Sequence, residues 1–380
     1  MVRLVKVKPH IERFPEYEEL DWIASHAIGV DQTSDAMRFS QVLAQAAVIR
    51  GYESYYYMRY DDSPERNYLP MIYYVVIGNP KINVLLREEI EPVGHLFNVI
   101  AVFSSNYLIQ RTSQRALLFD GAKTNATLVV NTSLSPDVVI SLVKKYSLAQ
   151  DWNGKVVTIS SSKIDKSIAF PMIGATLRGY EKIDLDAVLT VLDMLGLEKK
   201  KDSVRKGYEQ AVVKEVNIRA EETEKFKTMK HEIEIPEFDG KYWNPEVYYA
   251  YQKAAATAEN YAQRIAAMPR WEVLAPGLIE FGPKPGDRNI GFTTGEWRFQ
   301  RPVINYKKCI DCKLCHLYCP DGAIDFNPIK IDYRFCTGCG VCVTVCPTKA
   351  IEMMQEIQAK EGLIDEEVPV KRFEEREYGY

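Results

Sequence analysis

The chain has 380 residues, 46% of them hydrophobic, and a formal net charge of -4. That length is expected to make two or three domains, with ample apolar content for buried cores. The charge gives no electrostatic case for nucleic acid or an anionic membrane as partner. No apolar run approaches a membrane span, and the opening MVRLVKVKPHIERFPEY lacks the apolar core of a signal peptide.

Residues before about Leu20 mix charged and apolar side chains and read as an N-terminal arm. From there to about residue 218, short apolar runs alternate with helical stretches. Residues 22–29 read as a first strand. A helix is expected over 34–51, where Met37, Val42, Leu43, Ala46, Ala47 and Ile49 make an apolar face and Gly51 ends it. Residues 55–60 and 71–77, rich in Tyr, Val and Ile, read as strands. NVIAVF at 98–103 and TLVVN at 127–131 are short buried strands with helical sequence between and after them, and 155–160 is another strand. Helices follow around 168–180, 184–195 and 203–213. Such alternation predicts an α/β domain on a mainly parallel, Rossmann-like sheet.

Residues 219–238 are a charge-rich connector with little apolar periodicity, a linker or a partly exposed helix. An Ala-rich helix with Tyr248, Tyr249, Tyr251 and Tyr261 is expected over 246–268, its aromatic stripe packing on its own domain or a partner. Gly and Pro make 269–295 loop-like. The cysteine-bearing module spans 297–354. The acidic stretch 355–380 has no clear fold and reads as a solvated terminus or a segment that wraps a neighbouring subunit. The domain boundaries expected are 1–218, 219–296, 297–354 and 355–380.

All 8 cysteines lie between Cys309 and Cys346. They read CIDCKLCHLYCP and CTGCGVCVTVCP, two copies of C-x2-C-x2-C-x3-C-P, and the repeat extends to Ala323-Ile324 and Ala350-Ile351. Three thiolates two residues apart on a tight loop suit three iron corners of one cube, and the fourth corner takes a ligand from elsewhere. Structural zinc is a competing reading. It wants four ligands, commonly as two pairs across a longer spacer, and leaves the duplicated run of four before Pro unexplained. Disulfides compete too, but cysteines this close together are poor loop-closing geometry.

The run resembles that of bacterial two-cluster ferredoxins, which use it for [4Fe–4S] clusters and send the fourth Cys of each run to the other cluster. By that resemblance Cys309, Cys312, Cys315 and Cys346 hold one cluster, and Cys336, Cys339, Cys342 and Cys319 hold the second. Pro320 and Pro347 end the local turns and remove an N–H. Gly338 and Gly340 leave the second loop free of bulk, so that backbone N–H groups approach the sulfurs. With every Cys committed to clusters, a reducing, anaerobic cytoplasm is expected.

Over most of its length the chain resembles the 2-oxoacid:ferredoxin oxidoreductases, of which the pyruvate enzyme is best known. Residues 21–217 look like the gamma domain. The likeness rests on SQVLAQAAVIRGY (40–52), the Glu65-Arg66 pair of SPERNYLPM, TLVVNT (127–132) and KVVTIS…MIGATLRGY (155–180). Residues 293–354 look like the delta subunit, with TTGEWRFQRPV (293–303) as the lead-in to the first Cys. The resemblance implies a fused gamma–delta chain: an α/β gamma domain, a linker, and a small α+β two-cluster ferredoxin-like domain.

By the same resemblance the chain relays single electrons from oxidative decarboxylation to an external ferredoxin and holds no catalytic residue. Thiamine diphosphate and Mg belong to alpha- and beta-type partner subunits, in a dimer of heterotrimers; no GDG…Asn thiamine signature occurs here. A different reading is a non-catalytic ferredoxin-like adapter of another anaerobic redox complex, such as a hydrogenase. His10, His26, His95 and His231 read as surface or satisfied core residues. His316, inside the first run, is placed to tune that cluster or lies exposed. Glu65 and Arg66 read as a surface ion pair.

One departure stands out. The family's gamma domain opens with a GxGGQG-type loop after the first strand, whereas this chain has AIGVDQTSDA (27–36) with only Gly29. Asp31 and Asp35 speak against phosphate cradling there and against dinucleotide binding. A member that needs no coenzyme A tolerates such a change, as in the oxalate oxidoreductase branch. Drift of the loop in a pyruvate-type enzyme is the alternative.

Overall fold

The computed structural model of the chain describes residues 4–7, 20–59, 70–79, 97–109, 122–146, 151–219, 233–237, 244–257, 267, 294–298, 300–368 and 370. In chain order its strands are β1 (Leu4–Val7), β2 (Asp21–Ile28), β3 (Glu53–Arg59), β4 (Pro70–Gly78), β5 (Phe97–Val102), β6 (Ala122–Asn131), β7 (Trp152–Ile159), β8 (Val212–Ile218), β9 (Ile233–Pro236), β10 (Gln300–Ile304), β11 (Ile324–Phe326), β12 (Ile329–Ile331) and β13 (Ile351–Gln355). The helices are α1 (Gly29–Ile49), α2 (Pro136–Tyr146), α3 (Ala169–Thr176), α4 (Leu185–Met194), α5 (Lys201–Gln210), α6 (Pro245–Thr257), α7 (Leu314–Leu317), α8 (Val341–Thr344) and α9 (Glu356–Glu361). Among the described residues no helix is long and apolar enough to cross a membrane.

A seven-stranded sheet in the order β3-β4-β2-β5-β6-β7-β8 carries the α/β domain. Its four central strands, β2, β5, β6 and β7, run parallel. The hairpin β3-β4 and the last strand β8 add antiparallel edges. The centre is apolar on both faces because both are covered. Alternate residues go to opposite sides: Ile23, Val99, Ala101 and Val129 meet α1, α3, α4 and α5. Trp22, Ala24, Ile100, Leu128 and Val130 meet α2 and the short 3-10 turn at Ser105–Leu108. Asp184 caps α4 by accepting from the Ala187 N–H at 2.9 Å, which starts that helix where its Asp signals it.

Several expectations are corrected. The N-terminal arm contains β1, which pairs antiparallel with β9, Val5 opposite Ile235. Thus the connector 219–238 contributes a strand, not a helix or linker, at its described residues. The helix expected from 34 begins at Gly29 directly after β2, so most of the stretch compared with a glycine-rich loop is helical. The third late helix ends at Gln210, and 212–218 is the edge strand β8, whose exposed alternate residues blur its apolar pattern. Residues 258–266 and 268 of the tyrosine helix, the loop 269–293, and Glu65, Arg66, His10, His95 and His231 lie outside the described residues.

The cysteine module is two antiparallel ladders, β10-β13 and β11-β12, around a small core of Ala323, Ile324, Ile329, Ile331, Phe335 and Ile351. The expectation of a structureless acidic tail fails for 355–368. Residues 356–361 are α9, and Ile357 is fully buried in the core on the second face of the large sheet. The short polar stretch carries no apolar period of its own; partners elsewhere in the chain order it.

Candidate iron–sulfur site

The two cysteine runs fold back on one another, and the structure gathers their sulfurs crosswise. Cys309, Cys312, Cys315 and Cys346 line one hollow. Cys319, Cys336, Cys339 and Cys342 line a second. A single tetrahedral ion needs its sulfurs within about 2.3 Å. Among the described residues no three His, Cys, Asp or Glu converge to hold one ion. Two sets of four free thiols, each spread too widely to close on one ion, fit iron–sulfur cubes. Cys312 is exposed, while Cys336 and Cys342 are buried, so the first hollow opens to solvent and the second lies deeper.

The repeat is visible in the backbone. Left-handed φ values occur at Asp311 (56), Lys313 (65) and Gly322 (58), and recur at Gly338 (72), Gly340 (83) and Lys349 (49). Each pair is separated by the same interval as Cys309 and Cys336. These turns wrap the loops around the hollows and start the one-turn helices α7 and α8. Gly338 has a second reason to be glycine: a Cβ there would stand 2.2 Å from the Gln300 carbonyl oxygen. After each fourth Cys a backbone N–H points at its sulfur. Ala323 N–H donates to Cys319 Sγ at 3.3 Å and Ala350 N–H to Cys346 Sγ at 3.2 Å. Such donors stabilise a thiolate and tune a bound cluster.

Burial works against bare thiolates. It pushes the Cys336 thiol up to about 11 and raises Cys315, Cys339 and Cys342 as well. For Cys346 burial also opposes the thiolate, but the N–H groups of Ala350 and Thr348 outweigh it and hold the thiol below its usual range. Thiols held protonated by burial must release their protons when a metal group binds.

The lead-in to the first Cys packs against the second loop. Thr294 Oγ1 donates to the Phe335 carbonyl at 2.5 Å, and Gly295 N–H donates to the Arg334 carbonyl at 2.8 Å. Arg298 then turns inward. Its guanidinium donates to the Cys336 carbonyl at 3.0 Å and to the Tyr333 carbonyl. It also forks onto Glu356, with Nε–Oε2 at 2.8 Å and Nη2–Oε1 at 3.0 Å. Arg301 makes a second fork on the same carboxylate. A buried positive charge thus sits directly behind the second hollow. Sequence reading marked Arg298 as part of the lead-in but gave neither it nor Glu356 a role. The Glu lies past the module's expected end, and nothing local signals the pairing.

Of the histidines, His316 Nδ1 lies 2.6 Å from the Ile324 carbonyl and its ring meets Phe326 edge-on, so it is half-buried and anchored to backbone. His26 packs edge-on against Tyr107. Asp35 accepts from Ser167 Oγ at 2.5 Å and from the Ala169 N–H at 3.4 Å at the start of α3. Burial pushes its carboxyl above the usual range against those donors. Asp35 therefore serves internal packing, and a free carboxylate at a phosphate site is the wrong description of it.

Fold and site together define a chain that joins an α/β domain with a parallel-rich sheet to a ferredoxin-like domain. Residues 302–353 match the family model described as 4Fe-4S dicluster domain. The chain is 47% identical over 53 residues to pyruvate synthase subunit PorD of Thermotoga maritima, covering 14% of this chain and 50% of that one. It is 50% identical over 35 residues to ketoisovalerate oxidoreductase subunit VorD of Pyrococcus furiosus, covering 9% of this chain and 33% of that one. The chain thus spans about half or less of the length of these curated relatives. Among solved structures, pyruvate oxidoreductase subunit PORC of Thermotoga maritima aligns with 51% of this chain and 98% of its own, at 20% identity and a TM-score of 0.40. At that TM-score the superposition carries no argument.

Proposed function

We propose that this chain is the electron-transfer and scaffold subunit of a thiamine-diphosphate-dependent 2-oxoacid:ferredoxin oxidoreductase, with gamma-type and delta-type domains fused. The observation that carries the reading is the crosswise gathering of the eight cysteines into two quartets. In it Cys309, Cys312, Cys315 and Cys346 ligate one [4Fe–4S] cluster, and Cys336, Cys339, Cys342 and Cys319 ligate the other. When bound, such clusters supply one-electron storage at a potential set by charge, hydrogen bonds and burial. The chain's own residues supply the thiolates, the N–H groups of Ala323 and Ala350, and the Arg298 charge behind the deeper site. Names of the relatives, pyruvate synthase and ketoisovalerate oxidoreductase subunits, support the substrate class.

In this reading bond breaking takes place on thiamine diphosphate and Mg in alpha- and beta-type partners, in a dimer of heterotrimers in the cytoplasm. An external ferredoxin collects electrons at the exposed edge near Cys312. The domain division at 218 and 297 is retained. The substrate is a small 2-oxoacid of the oxalate or pyruvate type. A helix that begins at Gly29 directly after β2 leaves no glycine-rich turn to approach a phosphate. That favours a complex independent of coenzyme A, with oxalate as the leading substrate.

Anaerobically purified chain is expected to carry about eight iron and eight sulfide, from two four-iron cubes, with broad visible absorbance that bleaches on reduction. Stoichiometric zinc without sulfide overturns the cluster reading. With its co-purifying thiamine-binding partners, the chain's clusters are expected to be reduced on adding substrate. Assays with oxalate and pyruvate, each with and without coenzyme A, separate the branches: activity on pyruvate alone, dependent on coenzyme A, rejects oxalate. Turnover of a 2-oxoacid by the isolated chain overturns the division of roles.

A further inference from the structure

Three hydroxyl-rich turns stand side by side where the neighbouring parallel strands β5, β6 and β7 end. They are Ser104-Ser105-Asn106, Asn131-Thr132-Ser133 and Ser160-Ser161-Ser162. In open α/β sheets this carboxyl edge is where ligands bind. Here it receives two side chains from the segment after the cysteine module. Asp365 accepts from Ser105 Oγ at 2.5 Å, Thr132 Oγ1 at 2.6 Å, Ser133 N–H at 2.9 Å and Ser133 Oγ at 3.0 Å. Glu367 accepts from Ser160 Oγ at 2.5 Å, Ser162 Oγ at 2.7 Å and Ser162 N–H at 3.1 Å. Asp365 is 0% exposed and Glu367 6%.

Burying a carboxylate is costly unless charge or donors compensate it. Among the described residues neither carboxylate makes an ion pair within 4.0 Å, and all seven contacts above come from hydroxyls or backbone N–H groups. The nearby Lys163 pairs with Glu366 instead, at 2.8 Å. The segment is also preformed to present both acids. Gln355, the last residue of β13, donates through Nε2 to the carbonyls of Asp365 at 2.9 Å and Val368 at 2.7 Å. Its Oε1 accepts from the Asp365 N–H at 3.1 Å. The Glu367 N–H donates to Asp365 Oδ1 at 3.1 Å, which sets the spacing of the two acids. Upstream, Ile357 N–H donates to Asn106 Oδ1 at 3.3 Å, and Lys145 pairs with Glu361 at 2.8 Å.

We propose that the carboxyl edge of β5-β6-β7 is a binding seam for an Asp-x-Glu peptide, and that the chain's own Asp365 and Glu367 are its resident ligand. The seam clamps the cysteine module to the α/β domain. Ile357 seats the near end of the segment in the apolar core, whereas hydrogen bonds hold the two acids, so that end of the clamp is reversible: releasing it frees the seam and loosens the two domains. This stands whichever redox complex the chain serves.

The test uses the full chain with its clusters, kept anaerobic. Amide exchange of 355–368 is measured in the wild type and in Asp365→Asn/Glu367→Gln, and peptide binding to each is measured by calorimetry. The probes are a synthetic peptide of residues 355–368 and its Asn/Gln counterpart. The double variant is expected to exchange those amides at least tenfold faster and to bind the native peptide, while the wild type, with its seam filled, binds neither. A seam variant, Ser105→Ala/Ser162→Ala, is expected to release the segment equally and bind neither peptide. If the double variant does not fold, Glu367→Gln alone is read in the same way with a smaller acceleration. Unchanged exchange in the variants overturns the proposal. So does equal binding of the two peptides, or binding of native peptide to the seam variant.

Discussion

Glu356 is where a single substitution should unsettle the deeper hollow. Its carboxylate is 1% exposed, and the side chains of Arg298 and Arg301 are 5% and 14% exposed. Both guanidiniums fork onto it, both lie against the Tyr333 ring, at 5.3 and 4.3 Å, and Lys360 Nζ approaches at 3.4 Å. Glu356→Gln keeps the shape and removes the charge, leaving two buried cations facing each other. Breaking a buried pair in this way costs about 3–5 kcal/mol.

The proton affinity of Glu356 gives an independent magnitude. Burial alone would raise its carboxyl, but the hydrogen bonds and charges of Arg301 and Arg298 pull it from 4.5 down to about 2. At about 1.4 kcal/mol per pKa unit that corresponds to about 3 kcal/mol, in line with the first figure. A carboxyl depressed on folding contributes its stability above the unfolded value and loses it as pH falls through the folded one. The assay is anaerobic thermal unfolding followed by far-UV circular dichroism, wild type against Glu356→Gln. At pH 7 the variant should melt several degrees lower. The gap should narrow as pH drops below about 4.5 towards 2. Amides around Cys336 should exchange faster, since Arg298 loses the partner that aims it at that carbonyl. Equal melting at pH 7, or a gap that widens in acid, refutes the reasoning.

Further outcomes follow from the same geometry. Cys319→Ala should spare the hollow of its own run and empty the one lined by Cys336, Cys339 and Cys342, leaving about four iron per chain; loss confined to the first hollow's cluster contradicts the crossing. Gly338→Ala puts a Cβ 2.2 Å from the Gln300 oxygen at a φ of +72, a strain of at least about 1–2 kcal/mol, and should lower iron content; full occupancy counts against it. Lys349→Gly takes the residue that Gly322 supplies in the other half of the repeat, and relief of its left-handed strain should stabilise the chain by up to about 1 kcal/mol in the melting assay. Tyr180 donates to Asp21 at 2.7 Å in a buried site. Tyr180→Phe should cost about 1–3 kcal/mol by leaving that carboxylate short of a donor, and an unchanged melting curve speaks against it.

Much of this chain was legible because its signals are local. The spacing of the cysteines, a repeat of short range, marked the module by itself, while the crossed quartets came from its resemblance to two-cluster ferredoxins. β2, β5 and β7 announced themselves as apolar runs, and Asp184 marked the start of α4 within one residue. Residues 212–218 did not read as a strand because β8 is an edge strand with alternate residues exposed. β1 and β9 are each four residues long, too short for a period, and are strands because they have each other.

The segment after the module shows the limit most clearly. Nothing in EIQAKEGLIDEEV separates it from a solvated acidic tail, since its charges read as water-loving wherever water is assumed. The tertiary structure decides otherwise by bringing Ser105 to Asp365 across 260 positions and by placing Arg298 and Arg301 around Glu356. A side chain's polarity is written in the sequence. Whether that polarity meets water or a prepared set of donors depends on which distant residues share its space, and only the fold sets that.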